Sequence, residues 1–220
     1  MKYYQELQEG LYDPNIFKAI FFAGGPGSGK SYVVRRTTGG TGLKIVNSDP
    51  AFELLLKKAG LSLKMPPEEF ERKEKVRGQA KELIKKQQKN YLEGRLGLII
   101  DGTGKDAAKI LRQKASLEEL GYDTYMIFVN TSIDVALQRN AARPRSLQAS
   151  EVVRMLKEVQ SNIGTFSNMF RQGFIVVDNN DANEDIFMVQ WKRVQGLLKK
   201  KVTNTRAKNW MAMELAKRKR

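Results

Sequence analysis

The chain has 220 residues, 41% of them hydrophobic and 29% charged, a balance that suits one compact domain, or one domain with an appendage, and excludes disorder throughout. It contains no cysteine, which excludes disulfides, thiol catalysis and zinc-thiolate sites, and no histidine, so proton abstraction near neutral pH falls to a carboxylate, a lysine or water. The formal net charge of +15 is unevenly spread: residues 192–220 carry 11 Lys and Arg against the single acid Glu214, whereas the first 191 residues hold 28 against 23 Asp and Glu.

In chain order, Met1 to Gly10 carries Glu6 and Glu9 and no apolar stretch of the kind a secretory signal needs. No apolar run approaches the roughly 18 to 20 residues that span a bilayer, so a cytoplasmic location and no membrane partner are expected. Lys18 to Ala23 (KAIFFA) is a short apolar run stopped by a glycine-rich turn, the pattern of a buried parallel strand feeding a helix. Leu43–Asn47, Leu96–Ile100, Tyr122–Val129 and Gly173–Val177 repeat it, which gives five strands. Thr37 to Gly42 reads as a flexible loop, and Met65-Pro66-Pro67 as the turn before a long charged helix. In that helix, residues 68–89 and just beyond, Val76, Ala80, Leu83, Ile84, Gln87 and Tyr91 share one face. Further helices are predicted at about Asp106 to Leu120, Ile133 to Ala142, Ser150 to Ile163 and Glu184 to Leu198, with Phe166, Met169 and Phe170 as core. Alternating strands and helices predict an α/β fold: a five-stranded, mostly parallel sheet flanked by helices on both faces, over residues 1–198. Residues 199–220 read as a basic tail, with a helix from Ala207 to Arg220 that carries Trp210, Met211 and Leu215 on a narrow stripe.

Gly24-Gly25-Pro26-Gly27-Ser28-Gly29-Lys30-Ser31 fits G-x-x-x-x-G-K-[ST], directly after a strand and opening a helix. The glycines let the backbone curl so that amide N–H groups and a helix N-terminus face phosphate oxygens. Lys30 is expected to reach the outer phosphates of ATP, and the Ser31 hydroxyl to ligate Mg²⁺. Asp49 follows the second strand at the edge where parallel sheets gather ligands, either as a base for an attacking hydroxyl or as a helix N-cap ahead of Pro50. Asp101 ends the third strand, where an acid holds Mg²⁺ or serves as a turn residue before Gly102. Arg139, Arg143 and Arg145 follow the fourth strand; on a mobile segment, such arginines neutralise charge on a transferred phosphoryl group.

This order of phosphate loop, Asn47-Ser48-Asp49, Asp101-Gly102-Thr103 and Leu137-Gln138-Arg139-Asn140-Ala141-Ala142-Arg143 resembles the 5′-kinase domain of bacteriophage polynucleotide kinases and, more distantly, the zeta-toxin kinases, over roughly residues 18–163. The resemblance implies a P-loop kinase fold, an enzyme using ATP and Mg²⁺, Asp49 as general base, and Arg139 and Arg143 as lid arginines that clamp donor phosphates. It departs at Phe52, where the phage enzymes carry an arginine that grips the substrate phosphate, and no paired-aspartate phosphatase signature stands after Val177.

Three functions follow. The first is phosphoryl transfer from ATP to a polynucleotide 5′-hydroxyl. The second keeps the kinase but takes a small-molecule acceptor, such as a nucleotide sugar or nucleoside, as Phe52 favours. The third is a non-catalytic ATP-binding protein that works through its basic tail. That tail offers cations to a phosphodiester backbone and the Trp210 indole to a base; a solvated helix or a dock for an acidic protein is the alternative.

Overall fold

In a computed structural model, residues 10–63, 67–143, 146–181 and 184–218 are described. Met1, Glu6, Glu9, Met65, Pro66, Arg145 and Arg220, named above, lie outside them. Five strands, β1 (Lys18–Ala23), β2 (Lys44–Val46), β3 (Leu98–Asp101), β4 (Asp123–Asn130) and β5 (Phe174–Asp178), form one sheet in the order β2-β3-β1-β4-β5. Every pairing is parallel, so the expected "mostly parallel" sheet is parallel throughout among the described residues. Residues on β1 alternate between two cores: Ala19, Phe21 and Ala23 face one, Ile20 and Phe22 the other. A central strand buried on both faces therefore reads as an unbroken apolar run. At its start, register pairs Lys18 with Asp123, and the buried ammonium donates to that carboxylate at 2.5 Å.

The helices are α1 (Lys30–Thr38), α2 (Asp49–Lys58), α3 (Phe70–Glu93), α4 (Ala107–Glu119), α5 (Ile133–Ala141), α6 (Ala149–Gln160), α7 (Ile163–Phe170), α8 (Glu184–Leu198) and α9 (Thr205–Arg218). α1 and α8 pack together on one face of the sheet, while α4 and α7 cover the other. The predicted loop at Thr37 begins later, because Thr37 and Thr38 finish α1 with their hydroxyls bonded to the carbonyls of Val33 and Val34. The helix predicted over 150–163 ends at Gln160. α7 then starts afresh and puts Phe166 and Phe170 into the core, with Met169 packed beside them.

α3 does not lie flat on the sheet. Val76 and Ala80 join Phe52, Leu56 and Leu61 in a small separate core with α2, and Tyr91 reaches the main one. Leu83, placed on the apolar face by spacing, is 52% exposed. The basic C-terminal helix is docked on the body of the protein. Ala207 is fully buried against Gly121, Trp210 meets Phe17 edge-on at 5.5 Å, and Arg206 donates to the Glu119 carbonyl at 2.9 Å. The indole expected to be free for a base is thus engaged by the protein itself. Among the described residues, no helix is long and apolar enough to cross a membrane.

Candidate active site at the carboxyl edge of the sheet

β1 ends in the 24–29 loop, and two features make its glycines necessary. Gly27 and Gly29 both have φ of 78°, which side chains with a Cβ rarely adopt. The loop is also wedged against neighbouring helices: a Cβ on Gly25 would fall 2.6 Å from the Leu156 side chain, and one on Gly27 would strike the Ala136 backbone. Ala136 and Leu156 belong to the small α5–α6 core. Gly29 then turns the chain into α1, whose first residues are Lys30 and the exposed Ser31. With no side-chain cap, the Lys30 and Ser31 amides have no hydrogen-bond partner among the described residues, while Tyr32 and Val33 already donate to the Gly29 carbonyl.

The adjacent strand ends supply the rest. The Lys30 ammonium pairs with one oxygen of Asp101, whose side chain is only 4% exposed. Asn47 donates to the other Asp101 oxygen at 2.6 Å and, through its own side-chain oxygen, accepts the Asp49 backbone N–H at 2.8 Å. Four residues from three separate segments thus form one connected chain of bonds. Ser48 holds the N-cap position of α2, so Asp49 is not the cap. Its carboxylate is exposed and has no hydrogen bond or ion pair among the described residues. Phe52, one turn on, is buried, and the Arg77 guanidinium lies 4.4 Å above its ring.

The structure separates Arg139 from Arg143, the two arginines expected to act together on the donor phosphates. Arg139, in the last turn of α5, donates to the carbonyls of Asn179 at 2.7 Å and Asn180 at 3.2 Å, beside Gly29. Arg143 lies beyond the helix end with an exposed side chain. Between them, buried Asn140 bonds both the N–H and the carbonyl of Leu147, which ties the base of the intervening loop shut.

Sequence reasoning missed Asn179. It follows β5, is 2% exposed, and its amide donates to the Ser28 carbonyl at 2.6 Å. Its one sequence signal is a polar cluster, residues 178–181, at a strand's carboxyl end.

The Ser31 hydroxyl and the Asp101 carboxylate are oxygen donors of the kind magnesium takes, but both Asp101 oxygens are engaged here, by Lys30 and Asn47, so phosphate and water would have to supply most of the ion's ligands. No group of three or more Asp or Glu side chains that could hold a metal ion by itself exists among the described residues.

A family model described as an AAA domain matches residues 20–161. No curated protein sequence matches the chain. Among solved structures, it is similar to a Chloroflexus aurantiacus protein classed as a kinase, with TM-score 0.55, 17% identity, and coverage of 83% of this chain and 97% of that one. A gluconokinase from Sinorhizobium meliloti gives 0.53 at 13% identity, with 84% and 95% covered. A chain of the Pnkp1/Rnl/Hen1 RNA repair complex gives 0.50 at 20% identity, with 69% of this chain and 47% of that one covered. These likenesses establish the five-stranded P-loop kinase-like fold. Since the family model spans well over half of the 220 residues, from within β1 to the end of α6, the chain belongs to the AAA domain family.

Proposed function

We propose that the protein is an ATP-dependent kinase that moves the γ-phosphoryl group to a hydroxyl, with a polynucleotide 5′-end as the favoured acceptor. The observation that supports this reading is the bonded chain from Lys30 through Asp101 and Asn47 to the Asp49 backbone, which joins these residues at one sheet edge.

In this reading the 24–29 loop and the start of α1 hold the donor phosphates with backbone N–H groups. Lys30 offsets charge on the transferred group. Asp49 accepts the proton of the attacking hydroxyl, a task for which its exposed carboxylate has no competing partner among the described residues. Arg139 is held in place beside the loop, and Arg143 is free to swing onto the phosphates. Ser31 and Asp101 would hold Mg²⁺, which supplies further charge neutralisation when bound. Phe52 cannot grip an acceptor phosphate, but the Arg77 guanidinium over its ring brings a cation to that neighbourhood. The burial of Phe52 also favours a second reading, the same chemistry on a small-molecule hydroxyl.

The test is transfer from γ-labelled ATP to a 5′-hydroxyl oligonucleotide, run beside nucleosides and nucleotide sugars. Labelling of the oligonucleotide is expected. Labelling of a small molecule alone overturns the acceptor, and labelling of neither overturns the kinase.

A further inference from the structure

At the opposite end of the sheet, where β4 begins, a groove of about 610 Å³ lies between the strand and the segment joining α8 to α9. Asp123, Thr124, Tyr125, Lys200, Lys201 and Asn204 line it, with Glu118 at its side. Both carboxylates are already neutralised from within. Asp123 takes the Lys18 ammonium at 2.5 Å, and Glu118 takes Lys114 at 2.6 Å and the Thr124 hydroxyl at 2.7 Å.

The lysines are in a different position. Lys199, Lys200, Lys201 and Lys208 are exposed and have no carboxylate partner among the described residues. The Lys200 ammonium sits 5.9 Å from the centre of the Tyr125 ring. Docking of α9 through Ala207 and Trp210 fixes this segment to the body, so these charges border a defined groove and do not hang on a free tail.

We propose that this groove binds the sugar-phosphate backbone of a single-stranded polynucleotide, with Lys200 and Lys201 on its phosphates. Uncompensated lysines beside the Asn204 amide suit closely spaced phosphodiester anions, whose binding releases counterions. The groove lies at the amino end of the eight-residue β4 and the phosphate loop at the carboxyl edge, ~25 Å away at ~3.3 Å per residue. It therefore serves as a remote anchor, and strands too short to cover both places gain nothing from it. The proposal deepens the acceptor reading and rests on it in one respect, that the strand held is the strand phosphorylated.

Binding of a labelled single-stranded oligonucleotide to the full chain is measured without ATP across a salt series, so that this proposal and the kinase reading fail separately. The wild type is expected to weaken steeply with salt. Lys200→Glu with Lys201→Glu should weaken binding at least tenfold and reduce the log–log salt slope by about 1.4, at ~0.7 per lost phosphate contact. Lys200→Arg with Lys201→Arg should keep most of the affinity, and unchanged ATP binding by all variants shows intact folding. No strand binding by the wild type overturns the proposal, as does equal binding by the glutamate variant. Stronger binding of an acidic polypeptide than of the oligonucleotide also overturns it, in favour of a protein dock.

Discussion

The side-chain amide of Asn179 donates to the Ser28 carbonyl at 2.6 Å, while the Asn179 backbone carbonyl accepts the Arg139 guanidinium at 2.7 Å. One buried residue after β5 thus holds both the 24–29 loop and Arg139. Losing a buried hydrogen-bond partner costs roughly 1–3 kcal/mol, so Asn179→Ala should weaken ATP binding about tenfold. Calorimetric titration with ATP, beside a thermal melt, checks this. Unchanged affinity would show that the loop holds its shape unaided.

Asp49 has a different expected signature. Asp49→Asn keeps size and polarity but removes the proton acceptor, so turnover should fall about a hundredfold with ATP affinity retained. Turnover within a few-fold of wild type, in the same acceptor assay, would remove Asp49 from the chemistry.

The unequal anchoring of the two arginines predicts unequal kinetic effects. Arg139 is fixed beside Gly29, so Arg139→Ala should chiefly raise KM for ATP, by about tenfold for a charge-assisted contact. The Arg143 side chain is exposed and has no hydrogen bond or ion pair among the described residues, so Arg143→Ala should chiefly lower kcat, by about a hundredfold if it stabilises developing charge. Steady-state kinetics of both variants decide the matter, and identical effects would contradict the division.

Glu158 on α6 pairs with Lys105 at 3.0 Å and with Arg154 at 2.8 Å, and these cations, Lys105 foremost, hold its carboxyl below the ordinary glutamate value. The folded form therefore keeps this carboxylate ionised at pH values where the unfolded chain has begun to protonate it. The stabilisation is present above the unfolded pKa and is lost as pH falls through the folded one. The stability gap between wild type and Glu158→Gln should be open at about pH 6 and shrink by about pH 3, as read by urea midpoints. A gap that is constant with pH would mean the pair contributes nothing.

Much of the architecture is legible in the sequence where the signal is local. β1 and α8 are read at their observed bounds because an apolar run ends at glycines in one case and an amphipathic repeat persists in the other. The break between α6 and α7 is not legible, since Ser161 and Asn162 interrupt a pattern whose apolar spacing continues across them. Leu83 misleads because α3 leans on α2 over its first turns and on the main core only near Tyr91. At the site, the contiguous 24–31 segment announces its purpose. Asn179 acts on a residue 151 positions away and Asn47 on one 54 away, distances over which residue type carries no message. The docking of α9 is hidden for the same reason, since its surroundings, Phe17 and Gly121, are unremarkable in isolation.

The ion pair between Lys30 and Asp101 has a consequence for what can enter the phosphate loop. An arriving anion has to displace a carboxylate already seated on the lysine, so ligands compete with a built-in rival. A lone inorganic anion offers little more than Asp101 does and would exchange at small net gain. In the proposed function a polyphosphate chain would contact the glycine backbone, the helix start and the ammonium together, and would prevail where simpler salts do not. On that reading, the Lys30–Asp101 ion pair would itself discriminate against abundant small anions.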